Sequence, residues 1–478
     1  MEVYEIGWIK VVIINKKNLM CAVLWCGITS VEYFYLTQAK DYNLILQEVA
    51  CLSIINLFTQ LGIWKLTKQS LMAPFMVFIY CAYIFHFGQI VMTGLFSNVA
   101  FSYLNYIEVY MTNHVISIKT MKIIVICLNM IFLGGIIGVG INQSSAILQD
   151  KLNNERKDKN LLLQVAKILL IISSPFRLFI DIQTLIAAVI GGYYGAIAVQ
   201  YSGIIDCIAG FWYSAVILYY LGLNDLRKKR AFIIIIVFYM VIVMLTGNRG
   251  HQIVCLLMLF VVFVLENRKK FSIKNFLGGI ILIYVGLIFI DVIYSMREFG
   301  IDYFFNNFTK IVGESLKANI FFETIGSFGE TIFTPYLVVQ GIDKGTINPG
   351  FGECFYKSIL SVFPTIGTTM RRISIEANFT KMLNSWSAIG GSIVGEMYYN
   401  FRNMYWIFSC IVGIILGNLS FKITNGLENK RYTILLYAIP IFTNLVWWCR
   451  DSIGNAVRNI VWICCTIWII KKMLVNKN

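Results

Sequence analysis

The chain has 478 residues, of which 58% are hydrophobic and only 14% are charged, and its mean hydropathy is +0.72. A soluble domain carries about 25% charged residues, so this composition excludes a set of soluble domains and indicates that lipid surrounds most of the chain. In a soluble protein the net charge of +15 would suggest a nucleic-acid partner. In a membrane protein the same excess records orientation, and we expect no nucleic-acid partner.

Apolar windows of about 20 residues, the length that crosses a bilayer core of about 30 Å, predict about twelve transmembrane helices. No small-residue cleavage site follows the first window, so we expect it to be a retained anchor and not a cleaved signal peptide. In chain order the windows lie near 19–37, 44–64, 71–95, 121–141, 161–186, 204–223, 231–247, 251–266, 274–294, 404–421, 432–448 and 454–470. The sequence thus predicts an all-α polytopic membrane protein that forms one integral membrane domain over residues 1–478.

The basic residues are distributed unequally between the two sides of this predicted bundle. Loops on the side of the N-terminus hold most of the Lys and Arg residues, including the runs at 227–230 and 268–270. The short loops of the other side hold only Lys40, Lys119, Arg249 and Arg450. Because cytoplasmic loops are enriched in basic residues, both termini are expected in the cytoplasm and the turn around Arg249 at the outer face.

One outer segment, 295–403 between the ninth and tenth spans, is far longer than a connection between helices needs to be. Its stretches 331–340 and 355–364 are too apolar for a free polar domain. They favour interfacial or re-entrant helices packed on the outer leaflet, where irregular backbone is tolerated if protein covers it. A long outer loop on a rigid scaffold is also where function is expected.

Several common chemistries are missing from the sequence. It contains no Gly-Lys-Ser/Thr phosphate loop, no Asp-x-Asp pair and no Cys-x-x-Cys pair, and its three histidines are scattered. These absences argue against nucleotide hydrolysis and against a zinc site, so we expect no metal and no cofactor.

Arginines on the predicted outer side are exceptions to the enrichment of basic residues on the cytoplasmic side. Such side chains keep their charge and bind phosphate with a planar fork of N–H donors, so a cluster of them beside lipid predicts an anionic, membrane-embedded ligand such as a lipid diphosphate. For single residues, snorkelling to headgroups is the competing interpretation. The arginines in question are Arg249, Arg297, Arg371, Arg372 and Arg450.

Charges inside the predicted spans have a simpler explanation. Arg177 and Asp181 are four residues apart and share a helix face, which predicts a structural ion pair more readily than a catalytic one. Arg458 lies inside the last span. Glu396, near membrane depth among Gly, Ser and aromatic residues, is costly there unless it has a partner.

Three stretches of the sequence resemble the Wzy-type O-antigen and capsular polysaccharide polymerases. They are Thr-Gly-Asn-Arg-Gly at 246–250, the segment 350–364 in the long outer loop, and the segment 390–401 that leads into the next span. The plan of many spans with one long outer loop late in the chain is similar too, and the likeness extends over roughly 160–470. Asn248 and Met397 depart from residues common in the family, which leaves the sugar specificity open.

The resemblance implies a bacterial glycosyltransferase of the cytoplasmic (inner) membrane that serves O-antigen, lipopolysaccharide or capsule synthesis. It would transfer a growing glycan from undecaprenyl diphosphate to a lipid-linked oligosaccharide repeat unit at the outer face, without a metal. Its partners would be those lipid-linked glycans, the bilayer, and a chain-length regulator and flippase.

A mechanism follows from the resemblance as a hypothesis. Arg249, Arg297 and one or both of Arg371 and Arg372 would hold the donor diphosphate and stabilise the leaving group, while Arg450 would hold the second lipid's diphosphate.

Arginine cannot accept the proton of the acceptor hydroxyl, so a separate base is needed. Glu396 is the first candidate, with Glu376 and His251 behind it. Direct displacement predicts inversion at the anomeric carbon.

Two other functions fit twelve spans and buried arginines: a flippase for the same lipid-linked glycans, and an O-antigen ligase. A flippase usually shows similar halves, and no internal repeat is visible in this sequence. The single long outer loop favours an outward-facing enzyme.

Overall fold

The structure is a computed structural model in which all described regular secondary structure is helical, as predicted. The described residues are 14–38, 40–97, 103–146, 155–199, 203–246, 250–267, 286, 288, 292, 306–313, 319–360, 362–363 and 390–476.

Sixteen helices are named here in chain order among the described residues. The N-terminal set comprises α1 (Lys16–Gln38), α2 (Tyr42–Leu66), α3 (Pro74–Leu95), α4 (Tyr106–Val109), α5 (His114–Ala146), α6 (Glu155–Ala198), α7 (Ile204–Gly222), α8 (Leu226–Met244) and α9 (Gly250–Glu266). The later set comprises α10 (Ile320–Phe328), α11 (Phe333–Asp343), α12 (Glu353–Leu360), α13 (Ile393–Phe401), α14 (Tyr405–Glu428), α15 (Tyr432–Trp447) and α16 (Ile453–Val475).

Within the described part of the chain, seven helical segments are long and apolar enough to cross a membrane. They are Lys16–Gln38, Tyr42–Leu66, Pro74–Leu95, His114–Ile141, Ile204–Gly222, Ile393–Glu428 and Ile453–Val475, and α9 and α15 are shorter apolar helices. Each predicted window except 274–294 coincides with a described helix, and 274–294 lies largely outside the described residues. The count of twelve spans therefore stays a prediction.

Glycines bring α5 and α14 into backbone contact at the centre of the bundle. A Cβ added at Gly134 would lie 2.0 Å from the carbonyl oxygen of Cys410, and one at Gly413 would lie 2.0 Å from that of Ile131. Gly134 and Gly138 on α5, and Gly413 and Gly417 on α14, repeat the four-residue spacing by which small residues let membrane helices approach closely. This contact joins the N-terminal and C-terminal parts of the chain.

A buried polar network joins α1, α2 and α5. The Glu32 carboxylate accepts hydrogen bonds from the amides of Asn56, at 3.0 Å, and Asn129, at 2.7 Å. Gln60 extends the network from α2 to the hydroxyl of Tyr83 on α3, at 2.8 Å. Because lipid supplies no hydrogen-bond partners, such side-chain bonds help to fix neighbouring spans.

Helices of the predicted long loop pack against the spans. A Cβ added at Gly88 of α3 would lie 2.4 Å from the carbonyl oxygen of Ile325 on α10, so these two backbones touch. Lys119, expected in an outer loop, instead lies inside α5, because this helix begins at His114. There it forms an ion pair of 2.7 Å with Asp343 at the end of α11. The placement of these helices relative to a leaflet stays a prediction.

Candidate functional site

The loop 448–452, which joins α15 to α16, is the place where the three predicted stretches meet. An added Cβ at Gly250, which begins α9, would lie 2.1 Å from the ring of Trp447, just before the loop. One at Gly391 would lie 2.4 Å from the carbonyl carbon of Asp451. The third stretch reaches the loop through α12, where the Phe355 ring lies edge-on to Trp448, with 6.2 Å between centroids.

The stretches 350–364 and 390–401 are bonded directly to each other. The backbone N–H groups of Gly350 and Gly352 donate to the carbonyls of Tyr399 (3.0 Å) and Asn400 (3.2 Å). The Asn400 amide oxygen accepts from the N–H of Cys354 at 3.0 Å, within the first turn of α12. An added Cβ at Gly350 would lie 2.0 Å from the Tyr399 ring, so this position requires glycine. The two segments therefore form one body.

Glu396 is fully buried in α13, and its carboxylate reaches the far end of loop 448–452. It accepts a hydrogen bond of 2.6 Å from the indole Nε1 of Trp448. It also accepts from the backbone N–H of Ile453, at 3.1 and 3.2 Å to its two oxygens. Ile453 is the first residue of α16, so Glu396 stabilises a helix N-terminus whose N–H groups would otherwise lack partners. The charge expected to need a partner thus has N–H donors from Trp448 and Ile453.

A second buried contact joins the N-terminus of α13 to the span α3. The His86 Nδ1 lies 2.9 Å from the carbonyl oxygen of Ala82, which can only accept, so Nδ1 carries the hydrogen. In the neutral ring Nε2 then accepts from the hydroxyl of Ser392, at 2.8 Å. That hydroxyl also accepts from the N–H of Gly395 as the N-cap of α13.

Of the five predicted diphosphate-binding arginines, the structure describes one. Arg450 lies half-buried in loop 448–452, with its guanidinium 5.8 Å from the ring centroid of Phe85 on α3. The remaining four, together with the alternative base Glu376, lie outside the described residues: Arg249, Arg297, Arg371 and Arg372.

A second group of polar side chains, here called the polar cluster, lies at the end of the bundle that carries loop 448–452. It comprises Arg177, Asp181, Asp206, Tyr213, Tyr239, His251, Asp451, Arg458 and Asn459. Its members come from α6, α7, α8, α9, α16 and the loop itself.

His251 is an exposed member of the polar cluster. Its ring lies between those of Tyr213 and Trp447, with centroid distances of 5.7 and 5.0 Å. Asp451 lies within electrostatic range, and it accepts from the Asn455 amide at 3.2 Å. Burial raises the pKa of the Asp451 carboxyl above its ordinary value, while the Ser452 N–H and His251 oppose the rise. The arrangement is an accessible imidazole beside a carboxylate.

Two ion pairs line the rest of the polar cluster. Arg177 Nε donates to Asp181 at 2.7 Å, so the pair expected from the sequence spacing is confirmed, and Tyr239 donates to the same carboxylate. Arg458 donates to Asp206 of α7 at 2.9 Å. Both arginines are thus balanced by a carboxylate.

Most partners in these two regions were not identified from the sequence. Trp448 and Ile453 are 52 and 57 residues from Glu396, and Asp206 is 252 residues from Arg458. No local spacing rule connects residues at such separations. The one signal present was that an acidic or basic residue inside a span needs a partner.

A sequence model of the family described as O-antigen polysaccharide polymerase Wzy matches residues 19–478. Searches of curated proteins and of solved structures found no significant match. The matched region runs from α1 to α16 and includes all three stretches that carry the resemblance. Members of this family are glycosyltransferase-like enzymes of the inner membrane that act on lipid-linked glycans. The chain therefore belongs to the O-antigen polysaccharide polymerase Wzy family.

Proposed function

We propose that the protein transfers a growing glycan from undecaprenyl diphosphate to a lipid-linked repeat unit at the outer face of the bacterial cytoplasmic membrane. The observation that carries this proposal is the meeting of 350–363, 390–401 and Gly250 around loop 448–452. These three stretches are the ones that carry the resemblance to the family, and they meet at one loop. A flippase supplies the units and a chain-length regulator acts on the product.

The orientation follows from charge. Loop 448–452 lies at one end of the bundle, and the runs 227–230 and 471–472 lie at the opposite ends of α8 and α16. Because basic residues are enriched on the cytoplasmic side, this distribution supports an outer location for the loop and cytoplasmic termini.

The diphosphates are bound by arginine. Arg450 belongs to the loop, and Arg249 precedes Gly250, which packs on Trp447. With Arg297, Arg371 and Arg372, these residues supply the planar donors that stabilise negative charge as the diphosphate leaves, a role that requires no metal.

The acceptor hydroxyl is deprotonated by His251, which is exposed and lies beside Asp451. Glu396 contributes by holding loop 448–452, since its carboxylate is fully buried and accepts from the Trp448 indole and the Ile453 N–H. The interpretation of Glu396 as the base itself stays a prediction. Attack by the deprotonated hydroxyl opposite the diphosphate inverts the anomeric carbon.

The test is complementation of a strain from which this gene has been deleted. The wild-type gene should restore long polysaccharide chains, and Arg249→Lys, which keeps the charge but loses the fork, should leave chiefly single repeat units on the acceptor. Arg230→Lys, at the predicted cytoplasmic side, is the matched control and should behave as wild type.

Unchanged chain length with Arg249→Lys would remove this residue from the diphosphate site. If the deletion instead left long chains that are not attached to their acceptor, the protein would be a ligase. Repeat units stranded inside the cell would identify a flippase. Retention of the anomeric configuration in the product linkage would contradict direct displacement.

A further inference from the structure

The polar cluster contains buried polar atoms that have no hydrogen-bond partner among the described residues. They are the Tyr213 hydroxyl, the Arg458 Nε and the Asn459 Oδ1. Tyr213 and Arg458 are both 8% exposed, so water competes little for these atoms. Buried polar groups are almost always paired in native proteins, and three such atoms in one place indicate a ligand that bonds to them.

These atoms belong to one interface, between α7 and α16. An added Cβ at Gly210 would lie 3.8 Å from the side-chain nitrogen of Asn459, and Tyr213 is one turn further along α7. Arg458 reaches Asp206, one turn before Gly210. From Asp206 to Tyr213 the interface extends about 10 Å along α7. The 3.8 Å distance at Gly210 is an ordinary van der Waals contact, so Gly210 and Asn459 are direct neighbours across the interface.

The charge of the polar cluster excludes a diphosphate as its ligand. Arg177 is paired with Asp181 and Arg458 with Asp206, so neither guanidinium is left to balance an added anion. Asp451 adds a further negative charge beside His251. A hydroxylated ligand without charge fits these surroundings, because it can donate to carboxylates and to Asn459 and accept from Arg458.

Aromatic residues flank the polar cluster. Tyr239 and Trp447 are half-buried, and the ring of Trp212 lies 5.1 Å from that of Tyr239. Binding sites for small organic ligands combine aromatic walls with a few well-placed polar groups. A sugar ring, which is apolar on its C–H faces and polar at its edge, matches both kinds of neighbour.

We propose that the polar cluster is the binding site for the acceptor sugar of the lipid-linked repeat unit, with its hydroxyls bonded to Tyr213, Arg458 and Asn459. The inference rests on the proposed function, since it places this sugar beside His251, the proposed base. The cluster then selects the acceptor by its hydroxyl pattern, while the arginines recognise what all lipid-linked units share. Sugar specificity therefore resides in α7 and α16.

The experiment measures binding of two probes to the full-length protein in nanodiscs by calorimetry. One probe is the oligosaccharide released by mild acid from repeat units that accumulate in the deletion strain, and the other is undecaprenyl diphosphate. Tyr213→Phe and Asn459→Leu should each raise the Kd of the oligosaccharide about 10-fold, the loss expected for one hydrogen bond. Both should leave the Kd for undecaprenyl diphosphate within about twofold of wild type.

Tyr219→Phe, at the other end of α7, is the matched control and should change neither constant. The inference is overturned if wild-type protein does not bind the oligosaccharide, if both variants bind it as wild type does, or if they weaken undecaprenyl diphosphate instead. Failure of the proposed function has a different signature: undecaprenyl diphosphate does not bind to wild type, whereas oligosaccharide binding still falls in the two variants.

Discussion

Glu396 with its partners Trp448 and Ile453, here called the junction, and the polar cluster around His251 both adjoin the loop 448–452. Their central side chains, Glu396 and His251, differ in exposure. At the junction the carboxylate is fully buried and accepts from Trp448 and Ile453. In the polar cluster His251 is exposed, and Tyr213 and Asn459 keep atoms without a partner among the described residues.

The two regions therefore suit different roles, one structural and one in the proposed reaction. A charge that accepts several N–H donors and cannot be reached from outside holds a backbone in place, as Glu396 does for the start of α16. In the proposed mechanism the reacting group must instead be reachable by the substrate, and His251 is exposed. From residue type alone the carboxylate ranks before the imidazole as the base, and both assignments stay predictions.

The largest expected effect comes from breaking the junction. Glu396→Ala leaves the Trp448 indole and the Ile453 N–H without this acceptor, which should lower the free energy of unfolding by about 4 kcal/mol. Glu396→Gln keeps an acceptor oxygen and should cost about 1 kcal/mol while activity stays within about tenfold. Thermal unfolding of both variants in detergent, with polymer synthesis measured alongside, checks this. A Gln variant of normal stability and no activity would make Glu396 the base.

Loss of the imidazole should act on the reaction and leave stability nearly unchanged. We expect His251→Gln to lower kcat at least about 100-fold, since general base catalysis contributes about 10²–10⁴-fold. The acidic limb of the pH–rate profile should disappear as well. The measurement is turnover of lipid-linked repeat units by purified protein in nanodiscs. Wild-type turnover with an unchanged pH profile would contradict the role of His251.

Asp451 connects the two regions, because its backbone packs on Gly391 and its charge acts on His251. Asp451→Asn should lower kcat about 10-fold and leave KM near its wild-type value, since the imidazole loses a favourable counter-charge. Asn455→Ala removes a hydrogen bond to the same carboxylate and should have a smaller effect in the same direction. A change confined to KM would place Asp451 in substrate binding.

The smallest effect is expected for the ion pair that closes the polar cluster at α7. The side chain of Asp206 is 44% exposed and that of Arg458 10% exposed, so solvent screens the attraction in part. A double-mutant cycle with Asp206→Asn and Arg458→Gln should give a coupling energy of about 1 kcal/mol from unfolding curves. A coupling near 4 kcal/mol would show a fully desolvated pair and a cluster closed to ligands.

At each hydropathy window that the structure describes there is a helix, because a chain in lipid must pair its backbone groups internally and does so as helices. Hydropathy was less informative about the ends of the helices. The window 121–141 became His114–Ala146, and Lys119 moved from a loop into this helix, where Asp343 pairs with it. Polar residues extend a helix when a neighbouring element supplies their partners, which a hydropathy window cannot detect.

In the candidate site, too, local contacts could be predicted from the sequence and long-range contacts could not. Spacing on one helix predicted the pair Arg177–Asp181, because four residues place two side chains on one face. The acceptors and donors of Glu396 and Arg458 come from other helices, so their identities depend on tertiary packing. The cost of a charge at membrane depth indicated that partners exist and gave no means of naming them.

The glycine contact between α5 and α14 has a consequence for biogenesis. Ribosomes deliver helices in chain order at about 5–20 residues per second, so Gly134 enters the membrane roughly 15–50 s before Gly413. During that interval α14 does not yet cover the glycine face of α5, and the bonds of Glu32 to Asn56 and Asn129 help to hold α1, α2 and α5 together. The polar network thus stabilises the first spans until α14 is inserted. Its loss should leave the newly made N-terminal half open to membrane quality control before the second half is made.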